Sequence, residues 1–528
     1  MRWVTGLLWI GGLFAQRSLY LIYFTEKPDS LLLYPERYLS PIALERRRLQ
    51  SVPITLSDMP IPDEWLQKLS AYGAVWGVSR WLNAALVELK EEQPLPALPF
   101  ISCIEPFSRV RHASRGSLAG LYPGTKNGNG ITHINRVQLE QLHLHTLHSL
   151  GYKGQGIRIA ILDAGFPFMN QLPEFQPLFQ NGRYLGGYDF VDRDSSIFED
   201  NPHGTQVASV IVGEDPETGY IGGAPEAHVL LARTENALSE SRLEEWNWMQ
   251  AAEWADSLGI YIIQSSLGYS TFDDPAENYT YADMNGHTAL SSRAAALAAQ
   301  KGMLVVTSAG NEGSSSWRYI TAPADADSIV AVGAINSSGE VAPFSSRGPT
   351  SDGRYKPDVV ALGWGTYIIG LSGEVQQASG TSFSAPLITS LAACLWQSKP
   401  SLPGWHIREA LLRSADRASA PDNTYGYGIP HAEKALKILQ ALKPSSAPIL
   451  QLYPNPASSH LTLFLADGEL GWYNLEVYDT NGRSVFRSVY RGMTEISIPI
   501  QAWNKGAYFV QLIPYQGDRY FDGIFVKI

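Results

Sequence analysis

Apolar and polar positions along this 528-residue chain change texture twice. SLYLIYFT, Ser18 to Thr25, is strand-like, and SRWLNAALVEL from Ser79 gives a second strand signal with amphipathic helical material between them. This predicts a small α+β unit. Periodicity disappears in ASRGSLAGLYPGTKNGNG, Ala113 to Gly130, which reads as an exposed linker. A long alternation follows: IRIAILD (Ile157 to Asp163), a helix after His203, HVLLARTE (His228 to Glu235), and a helix over Ser239 to Gly259. IYIIQSSLG, SSRAAALAAQKG, MLVVTSAGN and IVAVGAI continue it as strand, helix, strand, strand. Uninterrupted apolar runs separated by helices are those of buried parallel strands, so a doubly wound α/β sheet is expected. Beyond KPSSAPIL, Lys443 to Leu450, short alternating strands with turns at Asn481-Gly482 and Asn504-Lys505-Gly506 predict a small all-β sandwich.

The expected division is therefore a signal peptide over 1–15, a small α+β domain over 17–112, a linker over 113–135, an α/β domain over 136–440, a linker over 441–450 and a β domain over 451–528. The leader is read from Met1-Arg2, the apolar run Trp3 to Phe14 and small Ala15. That run falls short of the roughly 20 residues of a membrane span, and no later stretch is long and apolar enough for one. With 40 basic and 51 acidic side chains the net charge is −11, which speaks against nucleic acid as a partner. Cys103 and Cys394 are too few and too far apart for a disulfide framework or a thiolate metal site. The basic run Arg46-Arg47-Arg48 is expected on a solvated helix face, and the acidic run Ser239 to Glu245 in a solvated first helical turn. ADMNG, Ala282 to Gly286, hints at calcium but lacks the remaining ligands of a calcium loop and reads as a capping turn; no other cofactor or metal is expected.

In doubly wound sheets sites gather at the carboxyl ends of strands, and Asp163, Ser266 to Gly268 and Gly310-Asn311 all fall there. Serine-based peptide hydrolysis needs a nucleophile, a base, a carboxylate to orient the base, and donors for the oxyanion. Asp163 in ILDAGF suits the carboxylate and His203 in NPHGTQVAS the base. Ser382 in SGTSFSAP opens an apolar helix, where free N–H groups and the helix dipole favour negative charge, with Pro386 expected in its tolerant first turn. Asn311 in SAGNEG would donate the second oxyanion hydrogen bond. Taken singly, the Asp is equally a cap, the His a core residue and the Ser an N-cap.

In chain order these motifs resemble the subtilisin (subtilase) family, and the order Asp, His, Ser separates it from chymotrypsin-like and α/β-hydrolase arrangements. The resemblance runs from about Gly151 to Leu436 and implies a secreted serine endopeptidase acting on polypeptides through an acyl-enzyme on Ser382. It further implies Ser266, Leu267, Gly268, Ala309 and Gly310 as substrate-binding residues, with SSLG pairing with peptide backbone as an added strand. Ala164 departs from the family's hydroxyl residue, which removes one hydrogen bond from the Asp. The region Ser18 to Val110 is similar to Bacteroidetes-type subtilase propeptides, which inhibit their own enzyme. Tyr453-Pro454-Asn455-Pro456 and Lys505-Gly506-Ala507-Tyr508 make the tail resemble a type IX secretion sorting domain, which implies that export machinery as a partner and a place outside the cell or on its surface. The competing class is a catalytically silent binding or adhesion protein on the same scaffold; a β domain that binds carbohydrate or protein is a third reading.

Overall fold

The computed structural model describes residues 17–90, 95–110, 133–442, 450–465, 472–480, 483–491, 495–514 and 521–527. The leader reading, most of both linkers and the Asn481-Gly482 turn lie outside the described residues. The first domain is a four-stranded antiparallel sheet of β1 (Arg17–Phe24), β2 (Gly73–Ser79), β3 (Ala84–Leu89) and β4 (Ile101–Val110), in the order β2-β3-β1-β4. The run from Ser79 thus straddles a turn rather than forming one strand, with Asn83 taking the left-handed conformation at φ 53° that asparagine tolerates. One face of this sheet packs on α2 (Asp63–Ser70) through Ile22, Trp65, Leu69 and Val87.

At the centre of the chain seven parallel strands, β5 (Arg158–Asp163), β6 (Tyr184–Asp189), β7 (His228–Arg233), β8 (Ile262–Ser265), β9 (Leu304–Ser308), β10 (Val330–Ile335) and β11 (Val359–Leu362), lie in the order β11-β10-β9-β8-β5-β7-β6. Side chains alternate across a strand, so Ile159 and Ile161 of β5 enter one core while Ala160 and Leu162 enter the other. The first core is closed by α3 (His203–Val212) and α6 (Thr381–Gln397), the second by α4 (Arg242–Ser257) and α5 (Leu290–Gln300). With both faces covered, these strands need continuous apolar sequence, which is why they read as unbroken runs.

The pro-region docks on the second core. Leu19, Leu21, Trp81 and Phe107 join the cluster of Trp246 and Met249 from α4, and Glu253 of α4 accepts hydrogen bonds from the Arg80 and Trp81 backbone N–H groups at 3.1 and 3.2 Å. The arginine run is not a solvated face. Helix α1 (Pro41–Leu49) packs against the C-terminal ends of α4 and α5, and Arg46 and Arg47 are each 1% exposed. Asp256 in the last turn of α4 takes Arg46 at 2.6 Å and Arg47 at 2.8 Å, while Asp58 takes Arg47 at 2.9 Å and Lys301 at 2.7 Å. Only Arg48 is solvated, paired with Glu45. Two guanidiniums at helix C-termini complement the dipoles there, and Arg46 also donates to the Lys301 carbonyl at 2.9 Å.

The tail forms two antiparallel sheets, three strands over Leu450–Tyr453, His460–Leu465 and Glu495–Pro499, and four over Trp472–Asp479, Ser484–Arg491, Gly506–Pro514 and Phe521–Lys527. Leu461, Leu463, Leu475, Val477, Val510 and Leu512 form their shared core. No helix among the described residues is long and apolar enough to cross a membrane.

Candidate active site

Asp163 ends β5 with no exposed surface, and its Oδ1 accepts from Nδ1 of His203 at 2.7 Å and from the Ala164 backbone N–H at 2.8 Å. Its Oδ2 is buried with no hydrogen-bond partner. The residue that follows, Ala164, has no hydroxyl to offer it. His203 is the first residue of α3, its backbone N–H donating to Asn201 Oδ1 at 3.0 Å. A Cβ on Gly204 would stand 2.3 Å from the Gly165 carbonyl oxygen, so only glycine lets α3 approach the turn after β5 this closely. Burial disfavours the imidazolium, but the Asp163 charge and hydrogen bond outweigh burial and hold the His203 pKa above its ordinary value.

Ser382 is the second residue of α6, 8% exposed, and the His203 ring faces that of its neighbour Phe383 at 6.0 Å. The Ser382 hydroxyl is turned toward the Ser266 carbonyl at 3.5 Å, the long limit of a hydrogen bond, and no hydrogen bond joins it to His203 in this resting geometry. Pro386 lies in the second turn of the helix rather than the first. Lacking an N–H, it leaves the Ser382 carbonyl without its helical donor. The Ser266 hydroxyl supplies one instead at 2.8 Å, tying the end of β8 to the serine residue. Asn311, just beyond β9, has its Oδ1 held by the Thr381 backbone N–H and hydroxyl, both at 2.9 Å. That fixes the amide plane and leaves Nδ2 as the donor facing the cleft, 3.8 Å from where a Cβ on Gly380 would sit.

These ends enclose a cleft of about 430 Å³ lined by Ser266, Leu267, Gly268, Gly310, Asn311 and Ser382. Ala309 does not line it: the residue is fully buried, its N–H donates to Val332 and its carbonyl accepts from Thr321. Thr321, Glu240, Asp273 and Glu312 also line it; Thr321 and Asp273 carry no motif that marks them. Glu312 follows Asn311 in SAGNEG, and Glu240 belongs to the acidic run Ser239 to Glu245.

The acidic run before α4 is not solvated. Glu244 caps the helix by accepting from the Ser241 N–H at 2.9 Å, and Glu245, fully buried, accepts from Tyr279 at 2.6 Å and Ser291 at 2.8 Å. In ADMNG, Asp283 accepts from the Thr280 backbone and Asn285 Oδ1 from His287 and Thr288, the capping roles expected of that turn. A further trio, Asp189, Asp192 and Asp200, closes on the Arg233 guanidinium at 2.6, 3.0 and 3.1 Å.

Known proteins resolve the chain into the same three textures. The profile of the subtilase family matches residues 154–428, just over half of the chain; that of the Bacteroidota peptidase S8 propeptide domain matches 19–118, and that of the secretion system C-terminal sorting domain 451–519. Subtilisin DY of Bacillus licheniformis is 30% identical over 286 residues, 54% of this chain and 92% of that protein. Subtilisin E of Bacillus subtilis (strain 168) is 30% identical over 293 residues, 55% of this chain and 68% of that protein. Among solved structures, MycP1 from Mycobacterium smegmatis aligns with 59% of this chain and 86% of its own at 22% identity and a TM-score of 0.47. The chain belongs to the subtilase family of serine endopeptidases, with a zymogen propeptide domain before the peptidase and a type IX secretion sorting domain after it.

Proposed function

We propose that the mature enzyme hydrolyses polypeptides through an acyl-enzyme on Ser382, with His203 as general base and Asp163 orienting it. The observation that supports this best is the convergence of Asp163, His203, Ser382 and Asn311, from four separated segments, on one end of the parallel sheet. Rotation of the Ser382 side chain away from the Ser266 carbonyl brings its proton to His203 as Oγ attacks the scissile carbonyl. Asp163 holds Nδ1 protonated, so Nε2 is the basic nitrogen. Asn311 Nδ2 and the backbone N–H of Ser382 stabilise the oxyanion, and His203 returns the proton to the leaving amine. A water repeats the sequence to release the acid. The backbone of Ser266 to Gly268 takes the substrate as an added strand, the propeptide blocks the enzyme until it is removed, and the tail directs export through the type IX machinery to the outside or surface of the cell.

Labelling by a serine-directed phosphonate tests the reading: the wild type should be labelled stoichiometrically and Ser382→Ala should be unlabelled and inactive while folded. Turnover by the purified Ser382→Ala protein would refute it, and a folded wild type that neither labels nor cleaves would make the chain a silent binding protein.

A further inference from the structure

We propose that the cleft is a slot for a basic side chain, so that the enzyme cuts after lysine or arginine. This rests on the peptidase reading above and names the substrate class of that same site. Its starting point is Thr321. The residue is 4% exposed and its hydroxyl has no hydrogen-bond partner. A Cβ on Gly268 would lie 2.3 Å from that oxygen and one on Gly310 3.0 Å from it. Gly268 follows β8 and Gly310 follows β9, so the hydroxyl stands between the two walls as the floor of the slot that opens at Ser382. An orphaned buried hydroxyl is costly and is satisfied at no cost to the fold if a ligand brings the missing partner.

Charge chooses the partner. Glu240, Asp273 and Glu312 line the cleft, and none of its lining residues is Lys, Arg or His. Burial chiefly, and then the charges of Asp273 and Glu245, push the Glu240 carboxyl up to about 7. An ammonium or guanidinium on the substrate supplies both the positive charge the walls lack and the N–H donor the Thr321 oxygen lacks. The chain's own sequence carries such groups where it leaves the propeptide domain. Ser108 of β4 donates to Glu277 at 3.1 Å, Glu277 sharing a second cavity with Glu240 and Asp273, and the residues next after β4, Arg111 to Arg115, read RHASR.

The test uses the processed full-length enzyme and peptides that differ only in the residue whose carbonyl is attacked: Lys, Arg, Gln, Leu, Phe or Glu. A peptidyl phosphonate titrates active sites in parallel. Expected is a kcat/KM for Lys and Arg at least about tenfold above Gln and Leu, with Glu lowest, as for a hydrogen bond to a charged group in a site built to satisfy it. Thr321→Val, of the same shape without the hydroxyl, should lower the Lys-to-Leu ratio about tenfold, and Glu312→Gln should lower it in the same direction. If titration succeeds but Leu or Phe is cleaved as well as Lys, or the ratio ignores Thr321→Val, the basic preference is overturned and the peptidase reading stands. Neither titration nor turnover with any peptide overturns both.

Discussion

Replacing Asp256 by Asn should loosen the propeptide without touching the catalytic groups. Asp256 is a fully buried carboxylate of the peptidase domain that receives two fully buried guanidiniums of the propeptide, Arg46 at 2.6 Å and Arg47 at 2.8 Å. Removing one partner of a buried ion pair costs about 3 to 5 kcal/mol, because the surviving charge keeps its desolvation penalty without its counter-ion. Here the lower end applies, since Arg47 retains Asp58 at 2.9 Å, Arg46 retains Gln50 at 3.0 Å and the Lys301 carbonyl, and the new amide oxygen still accepts one hydrogen bond. About 3 kcal/mol corresponds to roughly 150-fold in a dissociation constant. The assay is inhibition of the mature enzyme by added segment 18–110, comparing inhibition constants for wild type and Asp256→Asn at matched kcat. Equal inhibition constants within twofold would show that the apolar contact of Leu19, Leu21, Trp81 and Phe107 with α4 carries the docking and the buried charges contribute nothing.

The same network sets an acid limit. Despite burial, the charges of Lys301 and Arg47 pull the Asp58 carboxyl down to about 2, so its stabilising contribution is complete above 3.8 and is lost as pH falls toward 2; propeptide release followed by tryptophan fluorescence should begin below pH 3.8, and release complete at pH 5 would contradict this. Because the His203 pKa is raised, the rising limb of kcat/KM against pH should lie above 6.5, and a limb below 6 would mean that Asp163 does not hold the imidazolium. Asn311→Ala should lower kcat about 10² to 10³ with KM little changed; a loss under about fivefold would place the oxyanion elsewhere. Ala164→Ser offers the orphaned Asp163 Oδ2 a donor and should add about 1 kcal/mol to unfolding stability in urea, an unchanged midpoint refuting the gain.

How far the sequence reaches depends on the length scale of each interaction. The parallel sheet was legible because its cause is local: a strand buried on both faces must be apolar throughout, and Leu304–Ser308 and Val330–Ile335 are. Asp163, His203, Asn311 and Ser382 were legible because each sits in a short motif at a strand or helix end, where position along the chain already dictates position at the edge of the sheet. Arg46 and Arg47 depart from the expected solvated face for the opposite reason. A run of arginines on a nine-residue helix looks solvated unless one knows that Asp256, some two hundred residues on, is waiting in a dry interface. Glu245 departs from expectation likewise, its partners Tyr279 and Ser291 lying in later segments.

Thr321 is the extreme of that series, since what matters about it is the absence of a partner, and a missing hydrogen bond leaves no trace in sequence. Pro386 shows the same logic within a single helix. A proline six residues into α6 looks like a flaw, yet the carbonyl it orphans belongs to Ser382, and the donor that answers it is Ser266, the first residue of the expected substrate-binding run. One side chain therefore joins the nucleophile's backbone to the rim that would take the substrate strand.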